Sequence, residues 1–215
     1  MLNFTLSPEL IALQEKARQF ALQELLPVAW EYDQRDELPL HILHKAYDAD
    51  LVNGDIPKTY GGQGYGILEG VVATEELAAV CPGLATSIFD NSLGMEPLIL
   101  SENEAAKQKY LTSITRERKF FAFATSEPTM GSDVSSLRCQ AREDGDDYIL
   151  NGTKFWITNG GIADYISVFA TVDPQSAHQG ICAFIVETDW EGVTAGRHIP
   201  KLGQRNSNTT AINLK

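Results

Sequence analysis

Two hydrophobic periods divide this chain of 215 residues. Up to about residue 117 the apolar positions recur three and four apart, the repeat of an amphipathic helix. Ser7-Pro8 offers a cap and a first-turn proline. Leu10, Leu13, Ala17, Phe20, Ala21 and Leu25 then share one face. Pro27 is expected to end or kink that helix, because it lacks the N–H that an interior position donates. Further helices are predicted over 40–49, 68–80, 85–100 and 103–114, with Pro97 bending the last turns of the 85–100 helix. The 68–80 segment is apolar on most sides and should be buried, so its Glu75-Glu76 pair needs polar partners or a wet face.

From residue 118 the period becomes two. Strands are predicted at 120–125, 137–141, 148–150, 154–158, 165–172, 181–187, 193–198 and 209–215. Asp144-Gly145 is a strong hairpin signal, and Asn151-Gly152 reads as a second turn. The expected fold class is therefore α+β. An N-terminal all-α helical bundle domain occupies 1–117, and an antiparallel β-barrel or sheet domain occupies 118–215. The last strand has no chain after it to protect its edge, so the sequence reads as the front part of a longer protein.

Composition narrows the function. A formal net charge of −12 argues against a nucleic-acid partner, since phosphate binding needs clustered Lys and Arg. Cys81, Cys139 and Cys182 are odd in number and far apart, with no CxxC pair. That suggests neither a disulfide framework nor a zinc site and fits reduced thiols in a cytosol-like compartment. The N-terminus has no basic segment followed by an apolar run, so no signal peptide is expected. No stretch is long enough to cross a bilayer as a helix.

Several motifs point nowhere. Gly61-Gly62-Gln63-Gly64-Tyr65-Gly66 lacks the preceding strand and the glycine spacing of a dinucleotide loop. His41 and His44 have no third ligand at a recognisable spacing. There is no Gly-x-Ser-x-Gly elbow. Cys81, after an apolar helix and before Pro82, reads as a buried thiol.

The segment 121–160 is different. Ser126, Ser132 and Thr158 are hydroxyls in apolar surroundings, and buried hydroxyls need partners. Thr129-Met130-Gly131-Ser132 is a turn of mostly small residues that lets backbone N–H groups approach a ligand. Trp156 offers a rigid aromatic face. A flat ring with hydrogen-bonding edges would satisfy all of these. By spacing alone, ordinary strands and turns explain them as well.

The combined string is more specific. Ala124-Thr125-Ser126-Glu127-Pro128, Gly131-Ser132-Asp133 and Trp156-Ile157-Thr158-Asn159-Gly160-Gly161 resemble the acyl-CoA dehydrogenase family in order and spacing. So do the 57–64 loop, Glu75-Glu76-Leu77-Ala78, Asn91-Ser92-Leu93-Gly94 and Lys201-Leu202-Gly203-Gln204-Arg205. The resemblance implies an N-terminal helical domain and a flavin-binding middle β domain, with the family's C-terminal four-helix bundle missing. It implies FAD as cofactor, an acyl-CoA substrate, an electron-transferring flavoprotein as acceptor, and a homo-oligomer for the full-length protein. Carried over by residue, it places Ser126 at the flavin pyrimidine edge, Thr158 at N5 and Trp156 beside the isoalloxazine. Phe123, Thr125, Gly131 and Ser132 line the flavin and thioester side, and Ser132 also touches the CoA arm. Ala85, Thr86, Phe89 and Leu93 match acyl-pocket positions, where bulky Phe89 implies a short or branched chain. Thr125 and Met130 stand where relatives often carry aliphatic and small residues. The family's catalytic carboxylate has no counterpart here, so the 215 residues alone are expected to be inactive. An acyl-CoA oxidase on the same scaffold and a non-catalytic CoA- or partner-binding module are the alternatives.

Overall fold

The computed structural model describes residues 5–215. The start of the N-terminal segment read for a leader, residues 1–4, lies outside the described residues. The chain falls into two compact units. The first comprises the described residues up to Phe89 together with Lys201–Ser207; the second comprises Asp90–Pro200 and Asn208–Lys215.

The first unit is helical. Helix α1 (Pro8–Phe20) starts as expected, with the Ser7 hydroxyl accepting from the Leu10 N–H at 3.3 Å, and it buries Leu10, Leu13, Ala17 and Phe20. Pro27 does not end the helical run. A π-helical segment over Ala21–Leu25 shifts the register, and α2 (Leu26–Arg35) follows directly. Pro27 thereby lies in a first turn, where its missing N–H costs least. Next come α3 (Leu40–Asp48) and α4 (Ile67–Val80). Of the two acids on α4, Glu76 is buried and has the polar partners its position demands. It accepts from Arg18 at 2.6 and 2.8 Å and from Gln14 at 2.8 Å. The Lys201–Ser207 loop is held by the same unit, with Arg205 N–H donating to Asp33 at 3.0 Å and Asn206 to the Cys81 sulfur at 3.1 Å.

Helix α5 (Pro82–Leu100) runs on through Pro97, and its residues from Asp90 onward belong to the second unit. Helix α6 (Glu104–Glu117) is capped by Asn103 and buries Tyr110, Leu111 and Ile114.

The rest of the second unit is a seven-stranded sheet. Its strands are β1 (Phe121–Ala124), β2 (Gln140–Asp144), β3 (Asp147–Thr158), β4 (Tyr165–Thr171), β5 (Ile181–Glu187), β6 (Val193–Ala195) and β7 (Thr209–Leu214). The order is β1-β4-β2-β3-β7-β6, with β5 on β4. Four pairings are antiparallel, as expected: β2–β3, β3–β7, β4–β5 and β6–β7. The sheet is mixed, however, because β1 and β2 both run parallel to β4. Its core includes Ala122, Ala124, Ile166, Val168, Ala170, Ile157 and Ile212.

The expected turn at Asn151-Gly152 is corrected: β3 passes straight through it. Gly152 serves close packing instead. A Cβ there would lie 2.8–2.9 Å from the Sγ, Cα and Cβ of Cys139. Cys81 and Cys139 are buried free thiols, and Cys182 on β5 is an exposed one.

Candidate functional site

All seven residues read as cofactor contacts lie in the second unit, on two neighbouring segments. Phe123 is the third residue of β1. Its register partner on β4 is Ser167, and its ring meets Phe169 at 5.0 Å between centroids. Thr125 and Ser126 follow the strand. The chain then turns over Glu127–Met130, whose backbones bond each other at 2.8 and 3.2 Å. Gly131 and Ser132 come next and are exposed. Asp133 closes this stretch by accepting from the hydroxyls of Ser135 and Ser136 and from the Ser136 N–H. Those bonds hold the Asp133 carboxyl below its ordinary range.

The second segment is the far end of β3. Its pairing with β7 loses register between Lys154 and Ile157. Within that irregularity Trp156 takes a left-handed φ of 64°, a region that a bulky L-residue occupies only at a cost. The indole is 55% exposed and packs edge-on against Phe155 at 5.2 Å. Thr158 returns to the ladder opposite Thr209. The two segments are stitched together, since Phe155 N–H donates to the Ser126 carbonyl at 2.8 Å.

Two side chains absent from the expected set hold this junction. Lys154 is fully buried and Glu127 is 6% exposed. The Lys154 ammonium donates to Glu127 at 2.8 Å and to the Thr125 carbonyl at 3.0 Å. Glu127 also accepts from the N–H groups of Arg138 and Cys139 at 2.9 and 2.8 Å. Burial pushes the Glu127 carboxyl up, but the bonds from Lys154, Cys139 and Arg138 outweigh it and leave it below its usual value. The available signal was a lysine between Thr153 and Phe155 in an apolar strand. Sequence reading takes such a lysine as solvent-facing unless its acid partner is known.

Among the described residues, the buried Thr125 hydroxyl oxygen has no hydrogen-bond partner. An added Cβ at Gly131 meets nothing within 4 Å, so that backbone is open to close approach. An exposed indole, an unsatisfied hydroxyl and an open glycine turn fit a flat ring with polar edges.

The four acyl-pocket candidates all fall on α5. Thr86, Phe89 and Leu93 are spaced along one side of the helix, Phe89 and Leu93 being exposed, whereas Ala85 is buried. Thr86 donates to Gln204 at 3.1 Å. Ala85, Thr86 and Phe89 belong to the first unit and Leu93 to the second. Asp90, among them in sequence, is 7% exposed, and its Oδ2 has no partner among the described residues. Burial pushes its carboxyl up to about 8.

Comparisons with known proteins bear on this arrangement. Residues 7–118 match the family model for the acyl-CoA dehydrogenase N-terminal domain, and residues 122–215 match that for the acyl-CoA dehydrogenase middle domain. The chain is 36% identical over 217 residues to a probable medium-chain specific acyl-CoA dehydrogenase 2, mitochondrial, of Caenorhabditis briggsae. That match covers 100% of this chain and 53% of the relative. Butyryl-CoA dehydrogenase from Megasphaera elsdenii superposes with a TM-score of 0.94 at 30% identity, over 100% of this chain and 57% of that one. A glutaryl-CoA dehydrogenase from Mycobacterium smegmatis, in complex with FADH2, gives a TM-score of 0.89 at 30% identity, covering 98% and 53%. The chain thus spans about half the length of these proteins.

Proposed function

Because the chain belongs to the acyl-CoA dehydrogenase family, we propose that its β unit holds FAD and that the protein it serves desaturates an acyl-CoA thioester. One observation carries the cofactor reading: Trp156 is held at a left-handed φ with its indole exposed, one hydrogen bond away from the loop of Thr125 and Ser126. Strained backbone clusters at ligand sites, and an exposed indole offers a flat ring a face to pack against.

In this reading Ser126 bonds the pyrimidine edge, Thr158 the N5 region, and Trp156 packs beside the isoalloxazine. Phe123, Thr125, Gly131 and Ser132 line the flavin and thioester side, with Ser132 also at the CoA arm. Bound there, FAD supplies the redox chemistry by accepting the acyl β-hydrogen as hydride. The residues of this chain would orient it: the Ser126 and Thr158 hydroxyls would bond the ring where negative charge accumulates, and Trp156 would pack beside it. No Asp or Glu of this chain is assigned the α-proton abstraction. Ala85, Thr86, Phe89 and Leu93 on α5 are proposed to contact the acyl chain, with Phe89 limiting it to a short or branched one. An electron-transferring flavoprotein is the proposed partner. A cytoplasmic homo-oligomer is the proposed state of the full protein, and the boundary between its first two domains is placed at 117/118.

Titration of the purified chain with FAD tests this, followed by flavin absorbance and tryptophan quenching. Binding is expected, with an affinity at least tenfold weaker in Trp156→Gly. That variant removes an exposed ring and relieves a strained φ, so it should melt close to the wild type. Dehydrogenation of short acyl-CoAs with a dye acceptor is expected from a form extended by the family's C-terminal helical domain and not from the 215 residues alone. Absence of any flavin uptake by either form would refute the reading.

A further inference from the structure

The buried Glu127–Lys154 pair has no role among the proposed cofactor contacts, yet it sits where three stretches of chain converge, at residues 125–130, 138–139 and 154–155. Two buried charges are a poor source of stability, because the desolvation cost commonly cancels their attraction. Apolar residues of similar size are often as stable or more so. What such a pair does provide is direction, since each oxygen and proton must find its partner.

Here the partners are informative. Lys154 binds the Thr125 carbonyl and the Glu127 carboxylate. Glu127 clasps the N–H groups of Arg138 and Cys139, and its own backbone closes the turn with Met130. Next to Lys154, Phe155 N–H is bonded to the Ser126 carbonyl. The β3–β7 ladder is out of register between Lys154 and Ile157, so regular strand pairing does not fix the backbone at Trp156. The bonds made by Lys154 and Phe155 take its place.

We propose that Glu127 and Lys154 are positioning residues for the cofactor: they lock the Thr125–Ser126 loop against the bulged end of β3, so that Ser126, Trp156 and Thr158 present one fixed surface. The inference rests on the reading of this unit as an FAD site. It assigns the pair to ligand geometry rather than to the stability of the fold.

The test is the double substitution E127Q/K154M in this chain, with E127Q/K154Q as a second neutral pair; the glutamine of E127Q keeps an amide oxygen to accept from the Arg138 or Cys139 N–H. Thermal melting and FAD titration are read side by side. Both variants are expected to melt within a few degrees of the wild type or above it, while FAD binds at least tenfold more weakly and its bound absorbance bands shift. The single K154M, which strands a buried anion, is expected to lose stability as well. Wild-type affinity and an unshifted spectrum in either folded double variant would overturn the proposal and leave the FAD reading standing. Two double variants that fail to fold would overturn it too, by assigning the pair to the fold. A wild-type protein that takes up no FAD would bring down the cofactor reading and this inference together.

Discussion

A buried carboxyl group resists ionisation, and Asp90 in α5 is such a group, its Oδ2 having no partner among the described residues. Its folded value of about 8 lies above the ordinary 3.8, so its contribution to stability is full below the ordinary value. That contribution is lost as pH rises through about 8. Within this window the folded state holds a proton that the unfolded state has released, a slope of up to about 1.4 kcal/mol per pH unit. Asp90→Asn is expected to flatten the slope. Thermal melts from pH 5 to pH 9 should show the wild type falling relative to the variant, with the gap widest at the alkaline end. Asp90 was invisible in the sequence because an aspartate on a helix reads as solvated until neighbours are known to cover it. The order of motifs in the 121–160 segment was legible as a family resemblance, whereas Ser132, expected in apolar surroundings, is exposed. Lys154 and Glu127 each look ordinary singly, and only their contact in space makes them a device.

Helices were the easier elements to read. The apolar repeat of α1 survives in the structure at Leu10, Leu13, Ala17 and Phe20, because one local period reports one buried face. Pro27 does not stop the helical run, since a π-helical segment just upstream places it in the first turn of α2. In the sheet, alternation located most strands but could not reveal direction. Parallel pairing of β1 and β2 with β4 depends on contacts far apart in sequence. Asn151-Gly152 imitated a hairpin turn, whereas the glycine is required by the approach of Cys139. Gly152→Ala is accordingly expected to destabilise the protein by about 1–3 kcal/mol through overpacking. Urea unfolding would measure it; a change below a few tenths would show that β2 and β3 can separate to admit a methyl group.

For the whole molecule, the two hydrophobic periods correspond to the two matched family segments, 7–118 and 122–215. Local periodicity therefore conveyed the general architecture. Two features lie outside that pattern: the compact units divide inside α5, at Phe89/Asp90, and the Lys201–Ser207 loop belongs to the helical unit. Neither feature leaves a local signature, since a helix keeps its period across such a division and a loop carries no period at all.

The placement of the sulfur atoms has a practical consequence. With Cys81 and Cys139 enclosed and Cys182 open to solvent on β5, a maleimide dye should attach quickly at a single position in the native protein. It should reach all three positions only in denaturant. The molecule thus carries its own chemical gauge of integrity: mass spectrometry after a brief labelling pulse should count one adduct when both units are intact, and a second rapid adduct would reveal which interior has opened.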